Sequence, residues 1–299
     1  MRRPVGSFDR RRCRLSPLYY FARWAGIFSF DPAHRANHQA NGLNTFHMRS
    51  IFFTSLSVFL FCTVRAQIAP PDVVPTSKGP LTIQPLLHAS MVLSLPNLTI
   101  YVDPTSAADY STIKPPDIIL VTDIHGDHFD TTKLYSLFGA KVIVIMPEAV
   151  AQKIQGKVTG KFIVLHNGET TTQAGIDIAA IPMYNLPAST TDPRHPVGRG
   201  NGYVLTIGGK KLYISGDTQG IPEMRALKGI DIAFVCMNLP YTMDINEAAD
   251  AVLAFKPKIV YPYHYRGPGG LSDVQAFKAK VEAGNKNIEV RLRNWYPSK

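Results

Sequence analysis

A chain of 299 residues with 45% hydrophobic content can bury one large core or two small ones. Its formal charge of +10 points at first to nucleic acid or a membrane surface, but residues 1–66 hold ten Arg, no Lys and only Asp9 and Asp31, a net of +8. The 22 basic and 20 acidic residues of 67–299 leave that body near neutral, which argues against binding a phosphate backbone.

Residues 1–47 are rich in Arg and aromatics without a clear period. They are expected to be an upstream extension from a misplaced start codon, with a targeting presequence as the alternative. From Met48-Arg49-Ser50 an apolar run over 51–64 leads to Val64-Arg65-Ala66. A short positive start, an apolar stretch and small residues before the break predict a signal peptide over 48–66, cleaved after Ala66. Export to the periplasm or outside the cell follows, with no stable membrane insertion after cleavage. An uncleaved anchor is the rival, although the run falls short of the about 20 residues a span needs. Residues 67–80 are Pro-rich and predict a loose arm, and 81–299 read as one catalytic domain. Cys13 and Cys62 lie in the leader, so Cys236, within the apolar run 232–236, is expected to be a buried, inert thiol with no disulfide partner.

Strands are predicted at 81–83, 91–95 and 98–102, the last two joined by a turn at Pro96-Asn97 and ended by Asp103-Pro104. A buried strand at 118–121 follows, then a helix over 131–138 capped by Asp130 or Thr131. A strand at 142–145, a helix over 147–154 with Pro147 in its first turn and a strand at 162–165 come next. The second half repeats that order without repeating the sequence. A strand at 176–181 precedes a hairpin, 203–207 and 211–215, across Gly208-Gly209, and then strands at 230–236 and 259–261 alternate with helices over 245–255 and 274–281. Two β-rich stretches, each followed by strand–helix alternation, argue for α/β layering.

The densest chemistry follows the 118–121 strand, in Thr122-Asp123-Ile124-His125-Gly126-Asp127-His128. His125, Asp127 and His128 cannot share one face of a strand or helix, but a turn at Gly126 can gather them round one point. Imidazole and carboxylate suit zinc, iron or manganese. Three more candidate ligands also fall at strand exits: His195 before the 203–207 strand, Asp217 just after 211–215, and His264 after 259–261. Residues 67–299 contain six histidines, and four of them sit at such exits, leaving His88 and His166. Loops at one edge of a sheet are where α/β proteins gather functional side chains.

The order Thr-x-x-His-x-Asp-His, a later His, Gly216-Asp217-Thr218 after a hairpin and a final His resembles the metallo-β-lactamase fold hydrolases, most closely the L-ascorbate-6-phosphate lactonase-like branch. Leu87-His88-Ala89-Ser90, Tyr101-Val102-Asp103-Pro104, the string from Gly198 through Tyr203 and Tyr261-Pro262-Tyr263-His264 carry the finer likeness, which spans 81–296. The resemblance implies a four-layer αββα sandwich. It assigns His125 and His195 to a first metal site, Asp127, His128 and His264 to a second, and Asp217 to a bridge between them. Asp123 stands where the pattern has its first histidine. It either ligates through oxygen, leaves the first site weak in a one-metal protein, or marks a member that binds metal without turnover. The expected cofactor is one or two divalent ions, zinc first with manganese or iron as alternatives. The expected reaction is attack of a metal-bound hydroxide on a small ester, lactone or phosphoester, with Asp127 able to orient or deprotonate the water if the second site is empty. A metal-binding protein without hydrolysis and a phosphodiesterase or nuclease are the alternatives. His88 and Asn185 are candidates for supporting the ligands, and Arg266 for meeting an anionic substrate. The sequence leaves the oligomeric state open.

Overall fold

The computed structural model describes residues 70–154, 156 and 160–297. In its first sheet seven strands lie side by side in chain order: β1 (Asp72–Thr76), β2 (Gly79–Leu87), β3 (Ser90–Leu95), β4 (Leu98–Val102), β5 (Ile118–Leu120), β6 (Ile143–Met146) and β7 (Lys161–Val164). The first four pair antiparallel and β4 to β7 pair parallel. Parallel neighbours need crossovers, and α1 (Thr131–Leu137) and α2 (Glu148–Ile154) supply two of them. The second sheet repeats the scheme. Antiparallel β8 (Thr170–Gln173), β9 (Ile176–Met183), β10 (Gly200–Ile207) and β11 (Lys210–Ile214) are followed by parallel β12 (Ile232–Cys236), β13 (Ile259–Tyr263) and β16 (Glu289–Val290). Short α3 (Pro222–Arg225) and the longer α4 (Ile245–Phe255) and α5 (Val274–Gly284) belong to this half, as does a small hairpin of β14 (Arg266–Gly267) and β15 (Gly270–Leu271).

The period-2 pattern sorts side chains into layers. Ile100, Val102, Ile118, Leu120 and Ile145 join Ile178, Tyr203, Leu205 and Ile214 of the second sheet in one core. The residues between them, Tyr101, Ile119, Val121, Val144 and Met146, turn to the other face and meet Leu134 of α1 and Val150 and Ile154 of α2. Ala248, Val252 and Phe255 of α4, with Phe277 and Val281 of α5, cover the second sheet. These four layers are the αββα sandwich expected from the sequence. Near-continuous apolar runs in β5 and β12 follow from burial on both faces.

Helix ends follow local chemistry. Asp130 caps α1 by accepting from the Lys133 amide, and Asp244 caps α4 by accepting from the Asn246 and Glu247 amides. Cys236 is buried and unpaired as expected, and burial pushes its thiol up to about 12. The signal peptide expected over 48–66 and the extension expected over 1–47 lie outside the described residues. Among the described residues no helix is long and apolar enough to cross a membrane.

The stretch expected to be a loose arm instead contains β1. Its Pro75 lies on an edge strand, where a missing amide is tolerated. Asp72 fastens this edge to the second sheet. It accepts from the Tyr261 hydroxyl at 2.6 Å, pairs with the Arg293 guanidinium and lies 3.6 Å from Arg291. Burial alone would raise the Asp72 carboxyl, but the Tyr261 hydrogen bond and the two arginines hold it below the usual carboxylate range. Replacing Asp72 by Asn is expected to cost about 1–2 kcal/mol at neutral pH. Because the folded value is depressed, wild type holds its full advantage above the ordinary carboxylate range and loses it as pH falls through the lowered value. Urea unfolding of both proteins from pH 7 downward checks this, and an equal gap at every pH would contradict it.

Candidate metal centre

Strand direction sets where the site forms. β2, β4 and β5 run one way in the first sheet, as do β9, β11 and β13 in the second. His88 follows β2, Asp103 follows β4, the Asp123–His128 loop follows β5, His195 lies in the loop after β9, Asp217 follows β11 and His264 follows β13. All of these are carboxyl ends, and the loops leaving them meet at one edge.

Two glycines allow close backbone approach there, Gly200 to the loop leaving the first sheet and Gly202 to the end of β11 beside it. A Cβ on Gly200 would come within 2.9 Å of the Thr122 carbonyl, and one on Gly202 equally close to the Ile214 and Ser215 carbonyls. Without them, the Asn201 amide donates to the Thr122 carbonyl at 2.9 Å and the Tyr203 hydroxyl to the Val121 carbonyl at 2.8 Å. The start of β10 is thereby latched to the loop leaving β5. In that loop the His128 and Phe129 amides both donate to the His125 carbonyl, closing the turn anticipated around Gly126.

Four atoms then enclose a point. His264 Nε2 lies 3.1 Å from His128 Nε2, 3.2 Å from Asp127 Oδ2 and 3.4 Å from Asp217 Oδ1, and His128 Nε2 is 3.4 Å from the same Asp217 oxygen. Tetrahedral ligands 2.0–2.1 Å from an ion are separated by about 3.3 Å, so the spacing fits a zinc-sized cation. Asp217 Oδ1 is buried without a hydrogen-bond partner, the condition an ion would relieve.

The electrostatics agree. Burial opposes charge on His128, yet the Asp217, Asp103 and Asp127 carboxylates push its imidazole well above the ordinary value. Burial likewise opposes the anionic forms of Asp127 and Asp217, but the His128 and His264 imidazoles hold both below the usual range. Such a pocket demands positive charge, and a cation supplies it without protonating the ligands.

His195 and Asp217 extend the cluster toward Asp123 and His125. His195 Nε2, buried and without a hydrogen-bond partner, lies 3.3 Å from Asp217 Oδ2. The donor atoms of Asp123, His125 and His195 fall within 4.8 Å of one another. Asp123 is fully buried, 2.7 Å from His125 Nδ1 and gripped by Arg199, whose Nε and Nη2 donate to its two oxygens at 3.2 and 3.1 Å.

The supporting residues divide. Asn185 Oδ1 lies 3.3 Å from His195 Nδ1, which turns Nε2 inward. His88 packs edge-on against His264 at 5.3 Å, accepts the His264 amide on its carbonyl and meets the Tyr296 hydroxyl at 3.2 Å. Burial, with the His264 imidazole beside it, pushes His88 down to about 4. Arg266 stacks on the Tyr296 ring at 4.1 Å. A cavity of about 360 Å³ over the site is lined by Arg194, His125, Asp127, His195, Asn238 and Tyr241 among others, with Arg266 outside that lining.

Two residues escaped the sequence reading. Asp103, which reads as a turn former before Pro104, accepts from His128 Nδ1 at 2.9 Å and from the Thr122 amide and hydroxyl at 2.8 and 2.6 Å. Its position at a strand exit was the available signal. Arg199 reads as one member of a glycine-rich string, and nothing local pairs it with Asp123.

A β-lactamase superfamily domain model matches residues 82–264. A UPF0173 metal-dependent hydrolase of Pyrococcus abyssi is 31% identical over 64% of this chain and 84% of its own length. A crystallised protein of Parabacteroides distasonis, described as a candidate metal-dependent hydrolase, is 41% identical over 75% of this chain and 98% of its own, with a TM-score of 0.67. A metallo-hydrolase of Ignicoccus hospitalis shares the fold at 24% identity and a TM-score of 0.60. The chain belongs to the β-lactamase superfamily, and it is an enzyme of the metal-dependent hydrolase class within that fold. The finer likeness to ascorbate-6-phosphate lactonases is not what these relatives are named for. The expectation of a signal peptide and secretion is not carried further: residues 48–66 lie outside the described ones, and the relatives' names support only hydrolase, metal binding and fold.

Asp103 gives a sharp test. Asn at this position can still accept from Thr122, but an amide nitrogen facing His128 favours the tautomer with its proton on Nε2, where the ion needs a lone pair. Asp103→Asn is expected to fold and to bind Zn²⁺ about 10–100-fold more weakly, measured by competition with a chromogenic chelator. Unchanged affinity would remove Asp103 from the site.

Proposed function

We propose that this enzyme hydrolyses a small ester, lactone or phosphoester that carries negative charge, in the cavity above His128 and His264. The observation that supports this reading is the close-set donors of Asp127, His128, Asp217 and His264, open to the cavity through the half-exposed Asp127. A divalent ion held there, zinc first with manganese or iron as alternatives, supplies Lewis acidity and makes water acidic enough to be a nucleophile near neutral pH.

The protein's own groups define the rest. Asp127 keeps a second carboxylate oxygen outside the tetrad, able to orient water and take its proton. The Asn238 amide and Tyr241 hydroxyl line the cavity and offer hydrogen bonds to a substrate oxygen. Arg194 donates to the Pro240 carbonyl at 2.8 Å and sits 5.5 Å over the Tyr241 ring, which fixes a positive charge at the wall and favours an anionic substrate. About 360 Å³ lies near the small end of ligand pockets. The near-neutral body weighs against a nuclease.

Initial rates on a panel of carboxylic esters, lactones, phosphomonoesters and phosphodiesters test the reading. At least one small anionic substrate is expected to turn over, with activity lost to a chelator and restored by Zn²⁺ or Mn²⁺. His264→Ala is expected to lower kcat/KM by more than about 100-fold. A folded, metal-loaded protein inert on the whole panel would leave a binding protein in place of an enzyme of this specificity.

A further inference from the structure

The two halves of the centre are not equivalent. Around Asp127, His128, Asp217 and His264 four donor separations fall between 3.1 and 3.4 Å, the spacing of ligands on one ion. Around Asp123 and His125 the donors have instead paired with one another. A 2.7 Å contact between His125 Nδ1 and Asp123 Oδ2 is the length of a charge-assisted hydrogen bond and shorter than the about 3.3 Å that separates two ligands of one tetrahedral ion. With its proton on Nδ1, His125 has only Nε2 to offer, and that nitrogen faces Arg199 Nη2 at 3.3 Å. Nη2 has two hydrogens and also faces Asp123 and Arg194, so it meets His125 Nε2 chiefly as an adjacent positive charge, which opposes a metal ion at that nitrogen.

Arg199 is well placed to act as a fixed cation. Its side chain is 16% exposed and Asp123 is fully buried, so their two-point contact lies largely out of water. A third contact, to the Arg194 carbonyl, holds the guanidinium plane. With donors only, it competes with a metal ion for Asp123 and cannot itself serve as a ligand. What remains of the first site is His195 Nε2 and Asp217 Oδ2, two donors where a closed zinc site uses three or four.

The geometry points to a single-ion centre: this chain binds one divalent ion, on Asp127, His128, Asp217 and His264, and the Arg199 guanidinium stands on Asp123 and His125 in place of a second cation. The inference rests on the metal-dependent reading above and adds the count and the position. Asp123 is then the anchor of an ion pair and not an oxygen ligand.

Metal content decides it. The full chain is equilibrated with Zn²⁺, freed of excess, and assayed by inductively coupled plasma mass spectrometry with circular dichroism as the control for folding. Wild type is expected to hold one ion per chain, His128→Ala none, and His195→Ala one. The double variant Asp123→His with Arg199→Ala restores an imidazole and removes the competing charge, and is expected to hold two. Two ions on the wild type would overturn the inference, as would an ion retained by His128→Ala but lost from His195→Ala. A folded double variant that stays at one ion would count against Arg199 as the obstacle. A folded wild type with no ion would instead overturn the metal-dependent reading itself, so the two failures are distinguishable.

Discussion

A carboxylate buried at the seam between two sheets must be met by positive charge, and Asp217 is that carboxylate. One of its oxygens faces His128 and His264, the other faces His195, and no hydrogen bond satisfies the first. Asp217 is only 3% exposed, so little water reaches it. The fold therefore holds an anion it cannot neutralise alone, and three imidazoles from three loops are drawn in to face it. Affinity for a cation is in this sense a property of the sandwich and not of one loop.

Holding those loops in place is costly, and the strain is concentrated where the chemistry is. His88, Asp103 and His264 all adopt left-handed backbone angles, with φ of 52°, 43° and 45°. Non-glycine residues in that region typically cost about 1–3 kcal/mol each. Each is over-determined by its contacts: Asp103 by Thr122 and His128, His264 by the His88 carbonyl, and His88 by Tyr296. The large two-sided core and the Asp72 clasp allow such strain, because the strands that carry these residues are fixed along their length.

The pairing of Asp123 with Arg199 shows how a buried aspartate at the mouth of the site is accommodated. A buried carboxylate without a partner would be strongly unfavourable, whereas one gripped at two points by a guanidinium is not. The two residues lie 76 positions apart, on loops leaving different sheets. Asp123 also meets His125 Nδ1 at 2.7 Å, so the same carboxylate bears on a neighbouring imidazole.

The sequence by itself determined the layers and the candidate ligands. Apolar runs bounded by Gly and Pro, such as 118–121 and 259–261, and capped helices such as α1 and α4 depend on nearest neighbours, and local physics makes them readable. Asp127, His128, His195, Asp217 and His264 were likewise visible, because ligand-type side chains at strand exits form a pattern along the chain. β1 was not legible, since Pro70 and Pro71 before it and Pro75 within it hide a strand that exists only because β2 offers it an edge. Nor were the tasks of Asp103 and Arg199, an aspartate before proline and an arginine among glycines. Their partners, His128 and Asp123, sit 25 and 76 residues away; β4 pairing with β5 brings Asp103 to His128, and only the closing of the second sheet on the first brings Arg199 to Asp123. Tertiary structure decided those roles because a hydrogen bond acts over about 3 Å and carries no trace of how much chain separates its two ends.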